Sequence, residues 1–371
     1  MLSIDPETRQ SLSLYGFDEA TFTSLRENVR DGRLSAATNL ETGRIEAPLD
    51  DDLSNYPGIG SPEWTDAHRA GSEAIAAGQF AMAVLNGGMA TRFGGVVKGT
   101  VTALDDKSFI EWKLESALEL GNHFGGHVPV ALMNSFATDA ATRAFIENLR
   151  TTRTALPEPR HFNQGISLRL RPDGDLFTDD NGHPSPYAPG HGDFHGALHT
   201  SGLLADLRNS GIRYISLSNV DNLGARPDPV LLGMHILSSN SMTVEVAESL
   251  GDVGGAPARI DGRLAILEGF RIPPSFDTPL PVFNTNSFIF DLDALEADHP
   301  LTWFYVEKTI DDRTAIQLER LVGELSSFLD SNYVVIPRSG PRGRFFPIKT
   351  PEDLEASQQE LREMLGTSLL G

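Results

Sequence analysis

Apolar residues follow two rhythms along this chain, and the rhythms alternate. Phe80–Leu85 is an unbroken apolar run, the pattern of a strand covered on both faces, and 128–133 and 214–220 read as further strands. Between them the spacing turns helical. Ser108-Phe-Ile-Glu111 is a capping box that opens a helix with Ile110, Leu114, Ala117 and Leu118 on one face, and 138–149 and 193–207 predict two more helices. Strand and helix in this alternation predict an α/β fold with a doubly wound, mainly parallel, Rossmann-like sheet.

The flanking regions read differently. The first 75 residues predict a helical N-terminal layer, with starts at Asp18 and Ser61 and a polar linker over 50–58. Strand patterns at 242–247, 264–268 and 282–290, with turns at Gly254-Gly255 and Asp261-Gly262, predict an antiparallel flap. Leu318, Leu321, Val322, Leu325 and Leu329 mark an amphipathic helix, 333–336 a short strand, and 351–365 a closing helix. The domain reading is an accessory region at 1–75, a main domain at 76–350 and a C-terminal helix at 351–371. The loop 337–344 carries three arginines that are either solvated or facing an anion, while the acidic pairs 179–180 and 311–312 read as solvated.

Composition narrows the function classes. The chain has 371 residues, 40% of them hydrophobic, and no run near the roughly 20 apolar residues that a bilayer crossing needs. Its opening residues lack a secretory pattern, so the expected location is the cytoplasm, away from membranes. With no cysteine, disulfides and thiolate chemistry are excluded, and none of the ten histidines shows zinc-ligand spacing. A formal charge of −21 argues against a nucleic-acid partner. It also gives weight to any cation placed where an anion would bind.

Such cations occur in the turn after Phe80–Leu85. Residues 85–98 read Leu-Asn-Gly-Gly-Met-Ala-Thr-Arg-Phe-Gly-Gly-Val-Val-Lys. Glycines let bare backbone N–H groups approach a phosphate, and Arg92 and Lys98 bring charge to it. Asp221 lies just past the 214–220 strand, where doubly wound sheets bind ligands. Extended backbone puts Asn219 on its side, so that the carboxylate can hold Mg²⁺ between phosphates while the amide bonds a sugar. Asp221 also suits a capping Asx-turn, and both roles are compatible. Gln164 carries both a donor and an acceptor but alone reads by default as a surface amide, and Asn284 and Asn286 share a strand face suited to sugar hydroxyls.

Several segments, in order, carry a resemblance that periodicity does not. Leu85-Asn-Gly-Gly, Leu132-Met-Asn-Ser, Phe162-Asn-Gln, Pro189-Gly-His-Gly-Asp, Ser218-Asn-Val-Asp-Asn-Leu-Gly-Ala, Phe283-Asn-Thr-Asn, Lys308 and Arg344-Phe-Phe-Pro-Ile-Lys-Thr resemble the UTP–glucose-1-phosphate uridylyltransferase family. The resemblance implies a nucleotidyltransferase α/β domain over 76–350 that joins UTP and a sugar 1-phosphate into a UDP-sugar and pyrophosphate, with Mg²⁺ as cofactor. It places Leu85, Asn86, Gly87, Gly88, Met133, Gln164, Gly190 and His191 at the nucleotide, Lys98 and Lys308 at the phosphates, and Gly255 and Glu268 with the asparagines at the sugar. Arg92 matches the wider sugar-nucleotidyltransferase pattern Gly-x-x-Thr-Arg. Taken alone, Met133 equally suits core packing, Glu268 a solvated strand end and Lys308 a surface charge.

Glucose 1-phosphate is the leading acceptor. Ala90, Arg92-Phe93 and Val97 depart from the family loop, which keeps another hexose, an N-acetylhexosamine or a cyclitol phosphate, with GTP as donor, as the alternative. A nucleotide-sugar binding protein without turnover is the rival from another class. The residues after Lys349-Thr350 leave no room for the family's C-terminal β-helix, and no oligomeric state carries over.

Overall fold

The computed structural model describes residues 4–90 and 95–370. Phe80–Leu85 forms the strand its composition predicts, with all six residues buried. Alternate positions serve opposite faces. Phe80, Met82 and Val84 pack with Ile110 and Leu114 of the helix Phe109–Phe124, whereas Ala81, Ala83 and Leu85 pack with Phe194, Leu198 and Ile215 on the other side. Ser108 caps that helix as expected, its hydroxyl taking the Glu111 N–H while the Glu111 carboxylate takes the Ser108 N–H.

Eight strands make the central sheet, in the order Leu53–Asn55, Ser331–Val335, Met242–Glu248, Val282–Asp291, Tyr214–Asn219, Phe80–Leu85, Val130–Asn134 and Arg160–Asn163. The five pairings that do not involve Val282–Asp291 are parallel; both of its own are antiparallel. The sheet is therefore mainly parallel and α/β, and four adjacent parallel strands end together at one edge. Parallel pairing needs crossovers, which the helices Phe109–Phe124 and Asp139–Thr152 supply on either side of Val130–Asn134.

The flap prediction needs correction. Met242–Glu248 and Val282–Asp291 belong to the central sheet, because their apolar residues are covered on both faces. The separate antiparallel element is smaller: Ala256–Ile260 and Arg263–Leu267 pair around the Asp261-Gly262 turn, and Ile45–Glu46 adds an edge strand. Asp261 at φ 50° and Gly262 at φ 86° give that turn its left-handed backbone. The N-terminal layer holds helices at Pro6–Leu14, Glu19–Arg30 and Pro62–Ala76, capped by Asp5, Asp18 and Ser61, but also contributes Leu53–Asn55 to the sheet edge.

The leucine-rich helix over 318–329 is also corrected. Leu318 lies in the strand Arg313–Glu319, which pairs with Phe304–Ile310 across a turn made by Asp311 and Asp312, both with φ near +50° to +60°. After it, Val322–Ser327 is a 3₁₀ segment whose Val322 and Leu325 fill a second core, the one that holds Phe194, Leu198 and Ile215. Hairpin pairing won over helical spacing. The 193–207 helix divides into Phe194–Thr200 and Leu203–Asn209 at Gly202, whose φ is 78°, and the closing helix divides into Pro351–Ala356 and Gln358–Leu365.

In the loop 337–344, Arg344 is buried and bonds the Glu245 carboxylate at 2.7 and 2.9 Å, and Arg338 bonds Asp252. The anions these two arginines face belong to the chain itself. Arg342 donates to the Ser368 carbonyl.

Candidate active site

Because Phe80–Leu85, Val130–Asn134, Arg160–Asn163 and Tyr214–Asn219 run parallel as neighbours, the segments following them converge. They line a cavity of about 370 Å³ with Leu85, Gly87, Gly88, Lys98, Met133, Gln164, Gly190, His191, Asn219 and Asp221 in its wall. Ten residues singled out in the sequence thus share one space. Ala188 and Val220 complete the lining; both are small or apolar residues with no chemistry to flag them. A larger cleft of about 740 Å³ runs along Glu115, Glu119, His123 and Arg153, away from these strand ends, and holds none of the sequence-derived site residues.

Lys98 and Asp221 form an ion pair at 2.5 Å, both side chains largely covered. Lys98 starts the 3₁₀ turn Lys98–Thr100, and Gly99 after it admits no side chain, since a Cβ there would lie 2.3 Å from Asn86 Oδ1 and 2.7 Å from Ile110. That contact seats the lysine turn on the Leu85–Gly88 turn. Asn86 itself stays under the loop, donating to Asn134 Oδ1 and Thr142 Oγ1. The Asp221 carbonyl accepts from Ile348 N–H at 3.2 Å. The quoted Arg344–Thr350 motif thus meets the aspartate through the main chain of Ile348, while Lys349 is exposed and its N–H donates to the Asp353 carboxylate.

Gln164 is 6% exposed, lines the cavity, and its Oε1 has no hydrogen-bond partner. Gly87 is what lets it lie there: a Cβ at Gly87 would meet Gln164 Nε2 at 1.9 Å. His191 Nδ1 accepts from Val322 N–H at 3.1 Å, and burial pushes its imidazole down to about 4, so the ring is neutral with its proton on Nε2. Gly190 has φ 101°, a conformation open to glycine, and a Cβ there would press on the Arg320 carbonyl. Met133 lines the cavity and also packs in the second core.

The sugar-side residues adjoin this wall in a chain of contacts. Asn286 Nδ2 donates to Asn219 Oδ1 at 3.0 Å, Asn286 N–H to Asn284 Oδ1 at 2.9 Å, and Asn284 N–H to the Gly255 carbonyl at 2.7 Å. Gly255 faces Glu268, whose carboxyl burial pushes up to about 7 against the pull of Arg271. Asn284 and Asn286 reach this position through a bulge: Glu245 pairs with Ser287 and Val246 with Asn284, leaving Thr285 and Asn286 extra. Lys308 is not on the cavity wall. It stands half-exposed on the Phe304–Ile310 strand, 3.3 Å from Glu319. Arg92 lies outside the described residues.

The model of the UTP–glucose-1-phosphate uridylyltransferase family matches residues 20–369. The chain belongs to this family. Relatives bearing that name include one from Encephalitozoon cuniculi, 31% identical over 74% of this chain, and one from Musa acuminata, 29% identical over 92%. The chain spans 57% of the first relative's length and 76% of the second's. Among solved structures, the UDP-glucose phosphorylase of Trypanosoma brucei superposes with a TM-score of 0.74 at 26% identity, covering 94% of this chain and 77% of that one.

Lys113 went unmarked in the sequence. Its ammonium is buried under the same edge and donates to Ser218 Oγ and to the carbonyls of Asn222 and Ala225, clamping the turn behind Asp221. A lysine among apolar helix positions was the available signal.

Proposed function

We propose that the cavity binds UTP and a sugar 1-phosphate, glucose 1-phosphate first among them, and transfers the uridylyl group to give UDP-sugar and pyrophosphate. The observation that carries this reading is the shared wall: an ion pair able to meet phosphates and a buried, unpartnered amide oxygen able to meet a base N–H. A sugar-phosphate oxygen attacks the α-phosphorus, a new P–O bond forms in line, and the bond to the β,γ-unit breaks, its electron pair leaving with pyrophosphate. A phosphomonoester, with a second pKa of about 6, is already mostly dianionic near neutrality, so no general base is needed. The chain's task is to position two anions and stabilise their charge.

Gln164 and the Gly190 backbone hold the base, Met133 and the neutral His191 the nucleoside, and the Gly87-Gly88 turn with Lys98 the phosphates. Asn219, Asn284, Asn286, Gly255 and Glu268 take the sugar. Arg92 adds charge from the same loop, and Lys308 reaches the phosphates when it leaves Glu319.

Mg²⁺ fits Asp221. It is the sole acidic side chain among the described residues lining the cavity, and no group of three potential ligands occurs among the described residues. One carboxylate plus substrate phosphates is a usual Mg²⁺ environment, whereas an all-protein cage is not. Asp221 would hold the ion there, and the chemistry it would supply is a divalent cation's neutralisation of substrate phosphate. No helix among the described residues is long and apolar enough to cross a membrane, and with soluble anionic substrates we place the reaction in the cytoplasm.

The test is pyrophosphate release from four nucleoside triphosphates against a panel of sugar phosphates. UTP with glucose 1-phosphate is expected to turn over fastest. Preference for GTP would remove Gln164 as a uracil reader, and tight UDP-glucose binding without pyrophosphate exchange would make the chain a binding protein.

A further inference from the structure

Beside the nucleobase end of the cavity lies an ion pair that the transfer reaction does not itself require. Asp193 is 4% exposed. Its Oδ2 accepts the Gly165 N–H at 2.8 Å, and its Oδ1 accepts from Arg320 Nη2. Gly165 is the residue after Gln164, so the carboxylate fixes the peptide that carries the base-reading amide. Arg320 is fixed in turn. Its guanidinium lies 4.4 Å from the centre of the Trp303 indole.

The backbone of the same residue meets the opposite side of the base site. Gly192 N–H donates to the Arg320 carbonyl at 2.9 Å, and Arg320 N–H donates to the Pro189 carbonyl at 2.9 Å. The fit is tight: a Cβ on Gly190 would lie 2.8 Å from the Arg320 carbonyl oxygen, and one on Gly192 would lie 2.4 Å from its carbonyl carbon. Two residues on, Val322 N–H donates to His191 Nδ1. Arg320 thus touches both halves of the base site, the 164–165 peptide through Asp193 and the 189–192 segment through its own main chain.

We propose that the Asp193–Arg320 pair is a positioning and specificity-determining element for the nucleobase, holding Gln164 and Gly190 at the separation that accepts a uracil. It acts through Gln164 and Gly190. A neutral side chain at 193 keeps a hydrogen bond to Gly165 but loses the charge that orients Arg320, so the two halves separate while phosphate and sugar contacts stay in place. This inference rests on the UTP reading above.

The experiment compares Asp193→Asn, Arg320→Met and Arg320→Lys with the wild-type chain in UMP titration calorimetry, steady-state pyrophosphate release and thermal unfolding. For Asp193→Asn and Arg320→Met, KM for UTP and Kd for UMP are expected to rise about tenfold, the loss of one charge-assisted hydrogen bond. The KM for glucose 1-phosphate should stay within about twofold, selectivity for UTP over CTP should fall, and Arg320→Lys should recover part of it. Unchanged UMP affinity, or an equal rise in both KM values accompanied by a lower melting temperature, would overturn the inference and leave the UTP reading intact. Wild-type protein that binds UMP no better than other nucleotides would instead overturn the UTP reading, and the inference with it.

Discussion

Two charged clusters border the strand Tyr214–Asn219, and they are built alike but differ in what can reach them. Lys98 and Asp221 pair at the rim of a cavity, one basic and one acidic group with room for a ligand beside them. Arg344 pairs with Glu245 and Asp228 inside the protein, where Tyr56 also donates to Asp228 and every partner comes from the chain. The first pair can exchange its partner for a phosphate or a cation. The second is closed off from such exchange by burial, its three charged residues each 4% exposed or less. An ion pair becomes a functional candidate through what can replace its partner, whatever the strength of its own attraction.

The largest effect expected from breaking this contrast is at Arg344. Arg344→Met leaves Glu245 and Asp228 buried without their cation and should cost about 3–5 kcal/mol in urea unfolding. A loss below about 1 kcal/mol would show that water reaches that interior.

At the cavity pair the effect moves from stability to rate. Lys98→Ala and Asp221→Asn should each lower kcat by about a hundredfold or more, the scale for removing one charge-stabilising group, while unfolding stays cooperative. Unchanged turnover for either would take that residue out of the reaction.

Glu268 sharpens the comparison, being a carboxyl near the site in which burial outweighs the opposing charge of Arg271. Burial raises it from 4.5 to about 7, so the folded chain holds a proton through that window that the unfolded chain releases. Stability should therefore fall as pH rises from 4.5 to about 7 and level off above. Glu268→Gln should flatten this slope, gaining at most about 3 kcal/mol over the parent chain above pH 7. Parallel slopes for the two proteins, from unfolding series at several pH values, would place the carboxyl in water.

The legibility of these features in the sequence tracks how local their causes are. Phe80–Leu85 and the Ser108–Glu111 cap were readable because a strand's burial pattern and a helix start are written within a few residues. The cavity wall was readable where residues follow strand ends, as Lys98, Gln164 and Asp221 do. The leucines at 318–329 misled because a hairpin turn at Asp311-Asp312, upstream of the window in which the leucines recur, decided the conformation of Leu318. The flap misled because alternation shows that a strand is buried but not which sheet buries it. Arg344 and Lys113 were invisible as structural cations, since their partners lie about a hundred positions away in the chain.

The bulge in Val282–Asp291 has one more consequence. Thr285 and Asn286 are surplus to the ladder with Met242–Glu248, so the two rows of paired backbone close around them without using their backbone groups in that pairing. On the proposed reading, in which Asn286 meets the sugar, acceptor choice can drift by exchange there, where φ is 57° and asparagine, aspartate or glycine fits, with no change of strand register. The fold thereby keeps an adjustable ligand contact in the middle of its most heavily paired strand.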